Sequence, residues 1–154
     1  TLETWEWTMR VNVTGTFLCC RQVWTPMTQQ GTGSILNISS GSGKRAHAEW
    51  VAYCASKGGL IMLTRALAVD TAADGIRVNA ICPGGVDTPM LAAGAEHAGV
   101  DTDEFLDSVA HVSPNGRISA PEDIAALTLF LASRAASQIT GTAIPVDGGL
   151  SAAD

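Results

Sequence analysis

Tyr53 and Lys57 are the two side chains of this sequence most able to do chemistry together. They lie four positions apart in a segment that reads as a helix, so their side chains should share one helix face. A phenol ionises with a pKa of about 10 in water, too high for a general base at neutral pH, and a nearby ammonium favours the phenolate. The spacing therefore predicts an acid/base unit. The alternative is a surface tyrosine and lysine that share the spacing by chance.

Two predicted strands end in polar or glycine-rich loops that could border the same site. Ser40 follows the apolar strand Ser34–Ile38 and precedes Tyr53 by thirteen residues. The segment Pro83–Gly85 follows a second strand, Ile76–Cys82, and its glycines allow a ligand to approach the backbone closely. Because open parallel sheets bind ligands beyond the carboxyl ends of their strands, both loops are candidates for one site.

The elements that must position these residues alternate between helix and strand. In chain order we predict a helix over 4–29, a strand over 34–38, a helix over 49–73, a strand over 76–82, a short helix over 101–112, a helix opening at 119–123 and a strand over 140–146. Alternation of this kind favours a parallel sheet with right-handed crossovers. The predicted fold is α/β: a partial Rossmann-like, doubly wound fold with three parallel strands and flanking helices, in one domain over 1–154.

Composition excludes several classes of protein. The 154 residues are 46% hydrophobic and 16% charged, with a net charge of −6, which is globular and unsuited to nucleic acid or anionic membrane partners. No apolar run is long enough for a membrane span, and no signal peptide is recognised. Four cysteines without a CxxC pair predict thiols in a reducing, cytoplasmic protein, and three isolated histidines predict no metal site.

Five segments of the chain resemble the short-chain dehydrogenase/reductase family, in that family's order and at its spacing. They are Asn12, Asn37–Ser40, Tyr53–Lys57, Pro83–Thr88 and Ile139–Gly149. The resemblance covers essentially the whole chain. It implies an NAD(P)-dependent oxidoreductase, with NAD or NADP as cofactor, that transfers hydride between nicotinamide and a small alcohol or ketone substrate.

The resemblance implies a role for each catalytic candidate. Tyr53 would exchange a proton with the substrate oxygen, and Ser40 would hydrogen-bond that oxygen. Lys57 would favour the phenolate and bind the nicotinamide ribose, and Tyr53 would also bind the cofactor. Ser39 and Ser42 are alternatives to Ser40, which the thirteen-residue spacing favours.

The resemblance also implies a water-binding residue and a cofactor-binding loop. Asn12 would anchor a water that links Lys57 to solvent, although it could instead be a helix-packing amide. Pro83, Gly84, Val86 and Thr88 would contact the nicotinamide end of the cofactor. Thr88 could instead cap the next segment. The segment 88–117 would be the substrate lid.

The sequence departs from the family pattern at its amino-terminal side. The glycine-rich turn that binds the pyrophosphate, and the strand end that selects NAD or NADP, are not recognised in it. The alternative function is therefore a truncated, non-catalytic fragment or an interaction module that keeps the fold but binds no dinucleotide. The strand over 34–38 would be an apolar sheet edge, which predicts self-association into a homo-oligomer.

Overall fold

Three parallel strands form one sheet in the computed structural model, which describes residues 1–153 apart from the side chains of residues 97 and 98. The strands are β1 (Gly33–Ile38), β2 (Ile76–Pro83) and β3 (Ala143–Val146), and they lie in the order β1-β2-β3. In the parallel register, Ile35 is opposite Val78 and Ile81 is opposite Ile144. The predicted α/β class with three parallel strands is confirmed.

Helices cover both faces of this sheet. They are α1 (Leu2–Met9), α2 (Thr16–Gln30), α3 (Val51–Thr71), α4 (Pro89–Ala98), α5 (Thr102–Val112) and α6 (Pro121–Ala132). On one face, Cys20 of α2 and Leu67 of α3 pack with Val78 of β2. On the other, Leu131 of α6 packs with Ile81. The central strand β2 is therefore buried from both sides, and its residues from Val78 to Cys82 are all buried.

The first predicted helix is interrupted by a π-helical turn. Residues Arg10–Gly15 join α1 to α2 in this wider geometry, and Asn12 lies within the turn. The helix also continues past Pro26 and ends at Gly31, which has a left-handed φ of 70°. We infer that packing of Trp24 and Met27 against the core holds the turn that Pro26 weakens.

Two interior glycines of α3 allow another segment to approach the helix. A Cβ at Gly58 would lie 3.4 Å from the carbonyl oxygen of Gly43, and one at Gly59 would lie 3.8 Å from the Val13 side chain. In the opposite direction, a Cβ at Gly43 would come within 2.8 Å of the Lys57 carbonyl group. The loop after β1 therefore rests directly on the backbone of α3, so the glycines permit a close contact that offsets their helix cost.

The segment 88–117 contains two helices where we predicted one. Helix α5 has the expected position, and the Asp101 carboxylate caps it by accepting hydrogen bonds from the backbone N–H groups of Asp103 and Glu104. Helix α4 was not predicted. It packs on α5, with the Phe105 ring 3.8 Å from where a Cβ of Gly94 would lie. The α4 sequence consists mostly of small residues and shows little apolar periodicity. Its packing against α5, and not a sequence pattern, therefore accounts for this helix.

Strand β3 is shorter than predicted because side chains replace part of its ladder. The N–H of Val78 donates to Thr140 Oγ1 at 3.0 Å instead of to a strand carbonyl. The fully buried Asn79 amide donates to the Ile139 carbonyl at 2.8 Å and accepts from the Thr142 hydroxyl at 2.9 Å. The segment before β3 is thus fixed to β2 by this polar cluster together with two backbone bonds, from the Gly141 N–H to the Val78 carbonyl and from the Ala80 N–H to the Thr142 carbonyl, both at 2.8 Å.

No helix within residues 1–153 combines the length and apolarity needed to cross a membrane. The four cysteines are free thiols. Over the same described range, His, Cys, Asp and Glu side chains do not gather into a group of three or more that could hold a metal ion.

Candidate active site

The carboxyl ends of the strands meet at one edge of the sheet. The ladder extends beyond β1, where the N–H of Ser39 donates to the Ile81 carbonyl at 2.8 Å. Beyond β2, the N–H of Gly84 donates to the Val146 carbonyl at 3.0 Å. These loops and the amino-terminal half of α3 border the edge at which open α/β sheets bind ligands.

Helix α3 is fastened to the end of β1 by two hydrogen bonds that involve Lys57. The Ser39 hydroxyl donates to the Lys57 carbonyl at 2.9 Å, and Lys57 Nζ donates to the Ile38 carbonyl at 3.0 Å. The first bond positions the helix backbone, and the second positions the ammonium. Lys57 therefore has a defined orientation at the sheet edge.

Tyr53 and Lys57 share a face of α3, as their spacing predicted. Lys57 Nζ lies 5.6 Å from the centroid of the Tyr53 ring, within the range of a cation–π contact. Both side chains are half-buried. Within residues 1–153, no group forms a hydrogen bond with the Tyr53 hydroxyl. That hydroxyl is therefore available to an incoming ligand.

Burial lowers the pKa of the Lys57 ammonium below its ordinary value near 10.5, while Cys82 acts weakly in the opposite direction. The folded state thus disfavours the charged form, and this cost is present at neutral pH. As the pH rises through the lowered pKa towards 10.5, the unfolded chain retains the proton longer than the folded chain. Folding stability attributable to Lys57 should therefore increase with pH over that interval.

Lys57→Met should reveal this dependence in urea unfolding from neutral pH towards 10.5. The stability of the variant relative to the unmodified protein is expected to be greatest at neutral pH and to decline as the pH rises. Lys44→Met, which removes the only other lysine and lies exposed, serves as the control for general pH effects. A relative stability that increased with pH would contradict the burial cost.

Three serines after β1 were candidates, and they lie in different environments. Ser39 and Ser42 are buried, with 3% and 8% of their surfaces exposed, whereas Ser40 is half-exposed. The Ser40 oxygen accepts from the backbone N–H of Ser42 at 3.1 Å, which leaves its own proton free to donate. Ser40 is therefore the best placed of the three to donate to a substrate oxygen.

Asn12 reaches α3 through Ser56, a residue that sequence reasoning missed. Asn12 Nδ2 donates to Ser56 Oγ at 3.0 Å, and the Ser56 hydroxyl donates to the Tyr53 carbonyl at 2.8 Å. Ser56 is fully buried. These two hydrogen bonds connect the π-helical turn to the backbone of Tyr53. Single-turn π segments are frequent at functional sites, which makes the position of Asn12 a structural signal.

The predicted cofactor loop begins beside β3 and turns towards the lid. A Cβ at Gly84 would come within 2.9 Å of Asp147, so only glycine fits there. Val86 forms a parallel bridge with Ser119, and the Thr88 hydroxyl donates to the Val86 carbonyl at 3.2 Å. Thr88 begins α4 without a capping bond from its side chain. Val86 and Thr88 are therefore held close to each other by a hydrogen bond, while Gly84 lies earlier in the loop, beside Asp147.

Cys82 is a second residue that was not singled out for this site. Its thiol is fully buried at the end of β2, and burial raises its pKa against a smaller, opposing effect of Lys44. Cys82 therefore lies below the sheet-edge loops as a neutral packing group. The apolar residues around Cys82 in the sequence predict that it is buried, but they do not predict that it lies near Lys57.

Comparison with known proteins gives relatives over nearly the full chain. A family model described as enoyl-(acyl carrier protein) reductase matches residues 1–151. Galactitol 2-dehydrogenase (L-tagatose-forming) of Cereibacter sphaeroides is 43% identical over 148 residues, which are 95% of this chain and 56% of the relative. A Xanthobacter autotrophicus protein named inactive 2-(S)-hydroxypropyl-CoM dehydrogenase 2 is 40% identical over 98% of this chain and 65% of its own length.

Solved structures give the same result. Levodione reductase superposes with a TM-score of 0.96 at 34% identity, covering 100% of this chain and 60% of that protein. Actinorhodin polyketide ketoreductase with NADPH gives a TM-score of 0.93 at 38% identity, over 98% of this chain and 60% of that protein. This chain thus spans between 56% and 65% of the lengths of these four proteins. By sequence, by fold and by the order of its motifs, it belongs to the short-chain dehydrogenase/reductase family.

Proposed function

We propose that the protein containing this chain is an NAD(P)-dependent oxidoreductase acting on an alcohol or ketone. The observation that carries the proposal is the pair on α3: a Tyr53 hydroxyl with no hydrogen bond to residues 1–153, beside the half-buried Lys57 ammonium. A phenol that can gain or lose a proton next to a fixed positive charge suits general acid/base work. Its position at the carboxyl edge of a parallel sheet suits ligand binding.

The residues present fit the nicotinamide-ribose end of a dinucleotide. An ammonium has three N–H donors, and Lys57 uses one of them on the Ile38 carbonyl. The remaining donors suit ribose hydroxyls, and the Tyr53 hydroxyl lies on the same helix face. Backbone around Pro83 and Gly84, with Val86 and Thr88, would hold the nicotinamide. When bound, the cofactor supplies or accepts the hydride.

The chain's own side chains would then handle the substrate oxygen. In ketone reduction, Tyr53 donates its proton to that oxygen, and in alcohol oxidation it accepts the proton. Ser40 donates a hydrogen bond that holds the oxygen in place and stabilises its developing charge. Lys57 stabilises the phenolate that remains. Asn12 anchors the water path that returns the proton, while its side chain positions α3 through Ser56.

Several further features belong to the same proposal. The segment 88–117 is proposed as the substrate lid, because α4 and α5 follow directly after Thr88. Strand β1 lies at the edge of the described sheet, so self-association through it stays a prediction. The free thiols support a reducing, cytoplasmic location. The names of the relatives cover a polyol and a thioether-linked alcohol, so they do not define one substrate.

The alternative is a chain that keeps the fold but binds no dinucleotide. One observation supports it: a relative that is 40% identical to this chain is named inactive. Pyrophosphate binding normally needs the amino terminus of a helix after a glycine-rich turn. Remote binding energy also helps to orient the reacting end of a cofactor. Cofactor affinity is therefore the property that separates the two functions.

Titration with NADH and with NADPH, followed by tryptophan fluorescence, tests the proposal. We expect saturable quenching at micromolar cofactor, and we expect Lys57→Met to weaken the binding more than the control Lys44→Met. Loss of binding in the lysine-57 variant alone would tie the cofactor to α3. An absence of quenching at millimolar NADH and NADPH would contradict dinucleotide binding by the protein that contains this chain and support the alternative.

A further inference from the structure

Trp50 lies next to the proposed catalytic tyrosine but takes no part in the proton chemistry. Its ring centroid is 5.5 Å from that of Tyr53, and the two rings are perpendicular, at 90°. The indole nevertheless remains 53% exposed. A tryptophan that only completed a core would bury more of its surface. This one contacts the reacting side chain and leaves a large apolar surface open.

The backbone holds Trp50 in this position at a conformational cost. The preceding residue, Glu49, has a φ of 67°, and within the described chain it is the only non-glycine residue with a positive φ. Left-handed backbone is unfavourable for residues with a Cβ, and such strain concentrates at ligand-binding sites. The turn is closed by a bond from the Trp50 N–H to the His47 carbonyl at 3.3 Å. The strained turn sets the direction in which α3 begins.

A second ring supports the indole from the side of the loop. The His47 ring centroid lies 5.6 Å from that of Trp50, with the planes tilted by 44°. The three rings of His47, Trp50 and Tyr53 therefore form a continuous aromatic row that leads from the loop to the proposed reacting hydroxyl. Aromatic rings present rigid apolar area with few rotatable bonds, so they favour flat partners.

We propose that Trp50 is a wall of the substrate site and that the site selects ketones and secondary alcohols whose reacting carbon belongs to a ring. The inference rests on the proposed function, because it takes Tyr53 as the group that meets the substrate oxygen. A ring placed with its oxygen at Tyr53 can cover the exposed indole without losing internal freedom. A linear chain of the same carbon number loses rotamer entropy when it packs against the same surface.

Nuclear magnetic resonance of the tryptophan indole N–H groups tests this without cofactor or turnover. The chain has four tryptophans, and the Trp50 signal is identified by its loss in Trp50→Phe. Cyclohexanone and 2-hexanone, which have equal carbon number, are titrated separately to millimolar concentration. Trp24 is the internal reference, because its Nε1 donates to the Asp74 carboxylate at 3.2 Å, away from the sheet edge.

We expect the Trp50 signal to shift saturably with cyclohexanone, with an affinity about two- to tenfold higher than for 2-hexanone, as one aromatic contact provides. The Trp24 signal should remain still. In Trp50→Leu, which keeps apolar volume without the ring, the preference for the cyclic ketone should disappear. Shifts of the Tyr53 ring protons give a second report of occupancy.

Equal responses to the two ketones, or a Trp50 signal that stays still at saturating ketone, would overturn the inference. Neither result depends on NADH or NADPH. A cofactor titration that fails while Trp50 still distinguishes the ketones would overturn the proposed function and leave the ring-binding site standing. If the cofactor titration succeeds but the Trp50 signal does not distinguish the two ketones, the ring-binding inference is overturned and the proposed function stands.

Discussion

Tyr53→Phe is expected to lower kcat about 10²- to 10⁴-fold, the range that general acid/base catalysis contributes. The change removes one oxygen, and that oxygen has no hydrogen bond to any other part of residues 1–153, so folding loses nothing that the structure shows. The phenylalanine ring keeps the perpendicular contact with Trp50 and the position over Lys57. Because Lys57 and the loop after β2 are retained, NADH and NADPH affinity should change by less than about threefold.

Steady-state kinetics with a ketone substrate, paired with cofactor titration, measure the two quantities separately. Ser137→Ala is the matched control, since it also removes a single oxygen, from an exposed hydroxyl near the amino-terminal edge of the sheet. Its turnover should equal that of the unmodified protein. Undiminished turnover in Tyr53→Phe would remove Tyr53 from the mechanism. A parallel loss of cofactor affinity would assign it to binding.

Asn79→Ala should destabilise the protein by about 3 kcal/mol, from lost hydrogen bonds and an unfilled space in the sheet. Asn79 is fully buried in β2 and makes three hydrogen bonds, one to the Ile139 carbonyl and two from the N–H and hydroxyl of Thr142. The segment before β3 would therefore lose its side-chain attachment to Asn79 and keep its backbone bonds to Val78 and Ala80.

Urea unfolding followed by circular dichroism measures this loss. The matched control is Asn115→Ala, because Asn115 is exposed and accepts only one bond, from the N–H of Arg117 at 3.2 Å. Its cost should stay below about 1 kcal/mol. Equal costs for the two variants would show that the buried cluster at Asn79 is not the attachment we describe.

Much of the architecture could be predicted because its signals are local. Asp74 and Gly75 end the 3₁₀ turn that follows α3, where Gly75 has a φ of 75°. Pro121 in the first turn of α6 and the Asp101 cap of α5 set their starts as expected. Capping, turn and alternation signals depend on neighbours in sequence, so they can be recognised without a tertiary structure. The start of β3 moved because the Thr140 side chain, and not a backbone carbonyl, accepts the hydrogen bond from the N–H of Val78.

Part of the site was also readable before the fold was known. Four-residue spacing places Tyr53 and Lys57 on one helix face by geometry alone. One further sequence pattern also distinguishes Ser40 from Ser39. Burial alternates along the end of β1, with Asn37 and Ser39 buried and Ile38 and Ser40 more exposed. Period-two alternation of side chains along a strand would have favoured Ser40 for the same reason.

The sequence by itself determined the order of helices and strands, the parallel sheet and the family resemblance, because each depends on residue type and short-range spacing. Only the tertiary structure decided what each site residue contacts. Asn12 bonds to Ser56, which lies 44 residues away, and Lys57 to the carbonyl of Ile38, 19 residues away. Such partners are brought together by packing across the sheet edge, and no local pattern encodes that packing.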